Sequence, residues 1–165
     1  MQPPPTTKND LDYIYSMNGM KLLLCAPIVL LASCKLSMHP YAVTSDKAPK
    51  AIGPYSQAVV HGNTVYCSGQ IGLNPATGTL VGESIEVQTK QALDNLKAVV
   101  ETSGSDMKHV LKVNIYITNM GDFSKVNDIY KDYFPDLKPA RATVQVAALP
   151  KNSLIEIECI AAKTK

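Results

Sequence analysis

The chain contains a single arginine, Arg141, among sixteen basic residues, so lysine supplies every other basic side chain. The guanidinium of an arginine stays charged and presents a planar pair of donors that matches a carboxylate, which a lysine ammonium cannot do. The run around it, residues 139–146, is apolar and strand-like. Arg141 is therefore a candidate for holding a small molecule that carries a carboxylate. The alternatives are a structural ion pair, or chance under lysine-rich codon usage.

A carboxylate is the second group with chemical potential. Residues 140–147 and 154–162 both alternate as strands do, which places Glu156 and Glu158 on one face of the second strand. Because the loop between the two strands is short, we expect them to pair as a hairpin, with Arg141 near Glu156. Such a pair could grip an anion and handle the proton of a water. The alternative is an exposed cross-strand ion pair, worth less than about 1 kcal/mol.

The composition argues against two classes of function. The formal net charge is +2, there is no tryptophan and there are two phenylalanines, so neither a basic footprint nor a base-stacking platform for nucleic acid is evident. The four cysteines form no C-x-x-C pair, and the three histidines lie far apart. We therefore expect no nucleic-acid partner and no metal site. Two of the cysteines, Cys67 and Cys159, lie in apolar runs and are expected to be buried.

Residues 20–34 resemble a secretory signal of the lipoprotein type. A short positive start precedes an apolar run that is too short to span a membrane, and the run ends in a lipobox-like sequence whose Cys34 would carry a lipid anchor. Nineteen residues precede this segment, which a signal should not have unless translation starts at Met17 or Met20. The alternative is a non-functional extension of a cytosolic domain. Residues 35–47 are interpreted as a linker.

The elements that must position the candidate groups follow from periodicity and turn residues. Apolar residues recur every three or four positions in 84–103 and 122–134, which predicts two amphipathic helices, the first capped by Ser84 and the second by Asp122. A hairpin around residues 61–63 and further strands complete the order β-β-α-β-α-β-β. We therefore predict an α+β domain, in which two helices cover one face of a mixed sheet.

Seven runs in this domain resemble, in order and at compatible spacing, motifs of the Rid family, also called the YjgF family, of reactive-intermediate deaminases. They are residues 51–57, 68–71, 91–96, 123–127, 139–141, 149–151 and 155–158. The resemblance covers nearly the whole of residues 44–165, which we assign to a Rid/YjgF domain that follows an N-terminal extension at residues 1–43.

The resemblance implies a chorismate-mutase-like fold and a homotrimer whose sheets form a central barrel, with a site in each cleft between subunits. It also implies hydrolysis of 2-imino acids, such as 2-iminobutanoate and 2-iminopropanoate or its tautomer 2-aminoacrylate, to 2-oxo acids and ammonia. Neither a metal nor a cofactor is implied, and the expected location is cytoplasmic. An exported lipoprotein on the periplasmic side is the alternative if residues 20–34 work as a signal, although the dehydratases that make such imines are cytosolic.

The resemblance carries roles to particular residues. Arg141 would hold the substrate carboxylate and Glu156 would orient or activate the water. Tyr55 would close the pocket, with Ser68 and Gly69 on an adjacent strand.

Three further residues complete the implied site. Asn127 and Tyr130 would shape it from the second helix, although a surface amide and ordinary core packing are the alternative interpretations. Thr143 stands where many relatives have Cys, and that position is thought to contribute largely through its backbone.

Two other functions compete with the deaminase. One is a non-catalytic trimer that binds or senses small carboxylates, against which Arg141 and Glu156 count. The other is an endoribonuclease or translation inhibitor, against which the near-neutral charge and the lack of stacking aromatics count.

Overall fold

The computed structural model describes residues 39–164, and the signal-like segment with Cys34 lies outside the described residues. Within that range, six strands and two α-helices follow one another along the chain. They are β1 (Tyr41–Val43), β2 (Ala58–His61), β3 (Thr64–Ile71), α1 (Ile85–Thr102), β4 (Val110–Ile117), α2 (Phe123–Tyr133), β5 (Ala140–Gln145) and β6 (Ile155–Ala162).

Both predicted helices are present, but only the first is capped as expected. The Ser84 hydroxyl accepts a hydrogen bond from the backbone N–H of Val87 at 3.4 Å, which satisfies one free donor of the first turn of α1. Asp122 occupies the corresponding position of α2 but makes no capping hydrogen bond. It is itself the last residue of a 3₁₀ turn, Met120–Asp122, so its backbone is not extended as a capping residue requires, and its carboxylate pairs with Lys125 at 3.3 Å instead.

The sheet has one strand more than predicted. Strand β1 lies in the stretch interpreted as a linker, and it pairs antiparallel with β2 through Tyr41 opposite Val60 and Val43 opposite Ala58. Only three residues take part, and so short an alternation is not a recognisable strand pattern in the sequence.

The strand order is β1-β2-β3-β6-β4-β5, and all neighbours are antiparallel except β4 and β5. The expected hairpin between β5 and β6 is therefore wrong. Helix α2 connects β4 to a parallel neighbour, as a β-α-β crossover does, and this places β5 on the outer side of β4. The chain then passes the end of β4, and β6 enters between β3 and β4.

Both helices cover one face of the sheet, which confirms the predicted α+β class. In β6, Ile155, Ile157 and Cys159 are buried under the helices, while Glu156 and Glu158 point to the other face. Cys67 and Cys159 face each other across β3 and β6 as free, buried thiols. The open face carries large apolar side chains that remain exposed: Val59, Tyr66, Leu111 and Val144.

No helix among residues 39–164 combines the length and the apolar character that crossing a membrane requires.

Candidate functional site

A cavity of about 340 Å³ opens where the loop before β2 meets the ends of β3 and β6. Four of the predicted site residues line it together, namely Tyr55, Ser68, Gly69 and Glu156. The remaining wall is mostly apolar and comes from Pro49, Ile52, Ile71, Leu73 and Pro150, with Lys50, Gln57, Gln70 and Glu158 as further polar groups.

The loop that carries Tyr55 is held in place by one buried amide. Gln57 is 3% exposed; its Nε2 donates to the carbonyls of Pro49 at 2.7 Å and Ser45 at 3.2 Å, and its Oε1 accepts from the backbone N–H of Ser45. These hydrogen bonds satisfy backbone groups of the loop that have no partner from strand pairing. The Tyr55 hydroxyl accepts from the N–H of Ile52 at 3.4 Å, and the ring remains 47% exposed at the cavity.

A break in the pairing of β3 and β6 creates the floor of the cavity. The register shifts between Cys67 and Gln70, so Ser68 and Gly69 lie in an irregular stretch of β3. The Ser68 hydroxyl donates to the carbonyl of Ser56 at 2.6 Å and ties this stretch to the loop. The side chain of Glu156 lies directly over Gly69, because a Cβ there would be 2.6 Å from its carboxyl carbon.

The environment of Glu156 favours its protonated form. Burial raises the pKa of the Glu156 carboxyl, and the nearby charge of Glu158 raises it further. Among residues 39–164, none donates a hydrogen bond to this carboxylate. Glu156 can therefore accept a proton more readily than an exposed glutamate can, as a base that handles a water must.

Arg141 lies on the edge strand β5 and faces α2. Its guanidinium carbon is 4.7 Å from the ring centroid of Tyr130 and 5.7 Å from that of Phe123, which is the geometry of cation–π contacts. Burial raises the pKa of Tyr130 to about 12, so the phenol is neutral and leaves the cation uncompensated. No Asp or Glu of the described part of the chain comes within 4.0 Å of Arg141, which disfavours the structural ion pair.

Three other predicted residues lie on this second side of the molecule. Thr143 follows two positions after Arg141 and shares its face of β5. The hydroxyls of Thr143 and Tyr130 are both buried, and no described residue forms a hydrogen bond with either. Asn127 is half-buried on α2, one turn before Tyr130 and on the same side of the helix.

The predicted site residues therefore form two clusters rather than one. Arg141 pairs with Val113 of β4 and points to the helix-covered face, whereas Glu156 pairs with Tyr116 and points to the open face. Strand β4 separates their strands, which puts them about 10 Å apart across the sheet before the difference in face is counted. The expectation that both lie on one sheet surface of a single chain is wrong.

The sequence did not reveal the aromatic contact of Phe123 with Arg141. Phe123 and Tyr130 are seven residues apart on α2 and share its apolar side, so the helical period could have linked them. The sequence also did not reveal that Asn114 and Tyr116 form hydrogen bonds with Glu158. Both residues belong to β4, and only the strand order shows that β4 lies beside β6.

Among the described residues, no three His, Cys, Asp or Glu side chains come together in an arrangement that could hold a metal ion.

The fold and the cavity define an α+β protein with a pocket of small-molecule size at the irregular ends of β3 and β6. The family model described as Endoribonuclease L-PSP matches residues 45–163. The chain belongs to this family, which is the Rid/YjgF family of the sequence analysis.

Relatives in three organisms illustrate the similarity. The 2-iminobutanoate/2-iminopropanoate deaminase of Dermatophagoides farinae is 53% identical over 118 residues, which are 72% of this chain and 92% of that protein. Reactive Intermediate Deaminase A, chloroplastic, of Arabidopsis thaliana is 48% identical over 135 residues, 82% of this chain and 72% of that protein. The crystal structure of a putative endoribonuclease from Thermotoga maritima aligns with a TM-score of 0.73 at 53% identity, covering 76% of this chain and 98% of that one.

Proposed function

We propose that this protein is a hydrolase that converts 2-imino acids, such as 2-iminobutanoate and 2-iminopropanoate, to 2-oxo acids and ammonia. The observation that carries the proposal is the guanidinium of Arg141, which stacks on Tyr130 and Phe123 and has no acidic partner among residues 39–164. A cation held in this way is available to a small carboxylate. The names of the mite and plant relatives support the same chemistry.

A complete site needs both clusters, and we propose that a homotrimer brings them together. The guanidinium and the carboxylate of one chain point to opposite faces of the sheet, so neither cluster holds both groups. A neighbouring copy would supply the complementary cluster in the cleft between subunits. The exposed apolar side chains of the open face, including Leu111 and Val144, fit burial between copies.

In the proposed reaction, Arg141 binds the substrate carboxylate and Glu156 activates the attacking water. The water oxygen bonds to the carbon of the protonated imine while one of its protons passes to Glu156. Glu156 then returns that proton to the nitrogen, and the C–N bond breaks. As the hydroxyl closes to the oxo group, its proton passes to the departing ammonia, which leaves as ammonium. Holding the two reactants together lowers the barrier by proximity and orientation. Because the protonated imine is already electrophilic, no cofactor is required.

The other predicted residues would shape the two walls of this site. Tyr55, Ser68 and Gly69 would contact the substrate from the Glu156 side. Asn127, Tyr130 and Thr143 would do so from the Arg141 side, where the buried hydroxyls of Tyr130 and Thr143 can meet a polar ligand or the neighbouring copy.

We propose a cytoplasmic protein in which residues 1–43 precede a catalytic domain at residues 44–165. Export with a lipid on Cys34 is the alternative. Mass spectrometry of the protein purified from its native host distinguishes them. Export would remove residues 1–33 by cleavage, and lipidation of Cys34 would add the mass of the acyl chains.

The substitution Arg141→Lys tests the proposed function. It keeps the charge but loses the paired donors. Since a hydrogen bond to a charged group contributes about 1.5–3 kcal/mol, we expect kcat/KM to fall about 10- to 150-fold. The assay measures oxo-acid and ammonia release from an imine generated in place by a dehydratase. Lys131→Met is the matched control, because Asp128, on the exposed side of α2, is the sole acidic partner of Lys131 among residues 39–164.

Wild-type kinetics in Arg141→Lys would refute the role of the paired donors. A wild-type protein that binds 2-oxobutanoate without accelerating imine hydrolysis would instead support the binding protein, and cleavage of RNA would support the endoribonuclease.

A further inference from the structure

A second carboxylate, that of Glu158, lies beside the water-handling carboxylate of the proposed site. Glu158 follows Glu156 by two positions on β6, so both side chains project from the open face of the sheet, about 7 Å apart along the strand. Both residues line the same cavity. No role in the reaction proposed above requires Glu158.

Strand β4 holds Glu158 in a defined position. Its Oε1 accepts a hydrogen bond from Asn114 Nδ2 at 2.8 Å and another from the Tyr116 hydroxyl at 3.1 Å. Asn114 lies directly opposite Glu158 in the strand pairing, and Tyr116 lies opposite Glu156. Two donors directed at one oxygen match an ionised carboxylate, because such an oxygen only accepts.

The two neighbouring carboxylates, Glu156 and Glu158, therefore differ in their hydrogen bonding. Tyr116 is the cross-strand partner of Glu156, yet its hydroxyl donates to Glu158. No donor among residues 39–164 reaches Glu156, which remains available to a ligand in the cavity. Burial raises the pKa of the Tyr116 hydroxyl, and the hydrogen bond to Glu158 and the charge of Glu158 raise it further. The phenol therefore stays protonated and can donate.

The other titratable groups around Glu156 are few. Strand β4 presents Tyr116, the loop before β2 presents Lys50 and Tyr55, and β6 presents Glu158. The part of β3 that lines the cavity, residues 68–71, carries no ionisable side chain. Glu158 is thus the acidic neighbour of Glu156 within this cavity.

We propose that Glu158 is a positioning residue for imine hydrolysis, and that its negative charge, held beside Glu156 by Asn114 and Tyr116, keeps Glu156 able to take up and return the proton of the attacking water. This inference rests on the proposed function. A glutamate in water is a weak base near neutral pH, and a fixed negative charge nearby favours the protonated product of the proton transfer. Glu158 itself neither gains nor loses a proton in the reaction.

The substitution Glu158→Gln tests the inference, because it removes the charge while its amide oxygen can still accept from Asn114 and Tyr116. We expect the acidic limb of the pH profile of kcat/KM to move to lower pH by roughly one unit. A loss of fold or of packing would reduce the rate at every pH without this displacement. Glu101→Gln is the matched control, because Glu101 pairs with Lys97 on the exposed side of α1 and should leave the profile unchanged.

A titration that needs no turnover separates this inference from the proposed function. The ¹³C signal of the Glu156 carboxyl, assigned by its loss in Glu156→Gln, is followed against pH in the wild type and in Glu158→Gln. We expect its midpoint to move to lower pH in the variant, whether or not the imine is hydrolysed. An unchanged midpoint overturns the inference, even if the wild type proves to be an active deaminase.

The substitution Tyr116→Phe provides a second test of the inference if the Glu158→Gln variant does not fold. It removes one of the two donors to Glu158 and keeps the ring. We expect the acidic limb to move in the same direction by a smaller amount, because Glu158 is then held by Asn114 alone. A profile identical to that of the wild type would argue that the placement of Glu158 does not matter.

Discussion

The contact between Glu156 and Gly69 makes Gly69→Ala the sharpest test of the site. A Cβ at position 69 would lie 2.6 Å from the carboxyl carbon of Glu156 and 2.8 Å from its Cγ. The carboxyl oxygen Oε1 would lie nearer still. Carbon atoms pack at about 3.5–4.0 Å, so the carboxyl group must move by at least about 1 Å. A misplacement of that size costs about 100-fold in rate, equivalent to about 2.7 kcal/mol of transition-state stabilisation.

The loss should appear in activity far more than in stability. The atoms that would clash belong to the end of a flexible side chain, which can turn into the cavity without disturbing the core. We therefore expect a change in unfolding free energy of about 1 kcal/mol or less, from chemical denaturation, beside the 100-fold fall in kcat/KM. Gly82→Ala is the control, because its new methyl would meet a Val87 methyl at 3.0 Å outside this cavity.

A double-mutant cycle with Glu156→Ala shows whether the effect of Gly69→Ala passes through Glu156. Alanine removes the Cγ and the carboxyl group that a Cβ at position 69 would meet. The double variant should therefore lose little more activity than Glu156→Ala alone, which is a non-additive result. Wild-type kcat/KM in Gly69→Ala would refute the placement of the carboxylate, and strict additivity would show that the alanine at position 69 acts elsewhere.

Two further predictions concern stability. Gln57→Leu leaves the N–H of Ser45 and the carbonyl of Pro49 without their partner, so we expect a loss of about 2–4 kcal/mol in chemical denaturation; a loss under about 0.5 kcal/mol would contradict this. Burial, and then the charge of Glu158, raise the pKa of the Glu156 carboxyl above its usual 4.5. The folded state therefore binds this proton more tightly than the unfolded state does. As a result, the stability that the bound proton contributes is present below about pH 4.5 and is lost as the pH rises through the folded pKa. Glu156→Gln should therefore raise Tm more at about pH 8 than at about pH 4, and an equal change at both would show that no such penalty exists.

The sequence alone was sufficient for the local elements and for the types of residue that carry the chemistry. The apolar period of α1 and the alternation of β5 and β6 depend on side chains close together in the chain, so they could be predicted within a few residues. The single arginine stood out by composition, and its lack of an acidic partner among the described residues agrees with the expectation that it meets a ligand.

Only the tertiary structure decided which of these residues meet. Strand order depends on contacts between distant parts of the chain, and a short loop between β5 and β6 did not make them neighbours, because the α2 crossover had already placed β5 on the far side of β4. That order separates Arg141 from Glu156 within one chain. The same order brings Asn114 and Tyr116 beside Glu158, and the irregular pairing of β3 with β6 places Glu156 over Gly69.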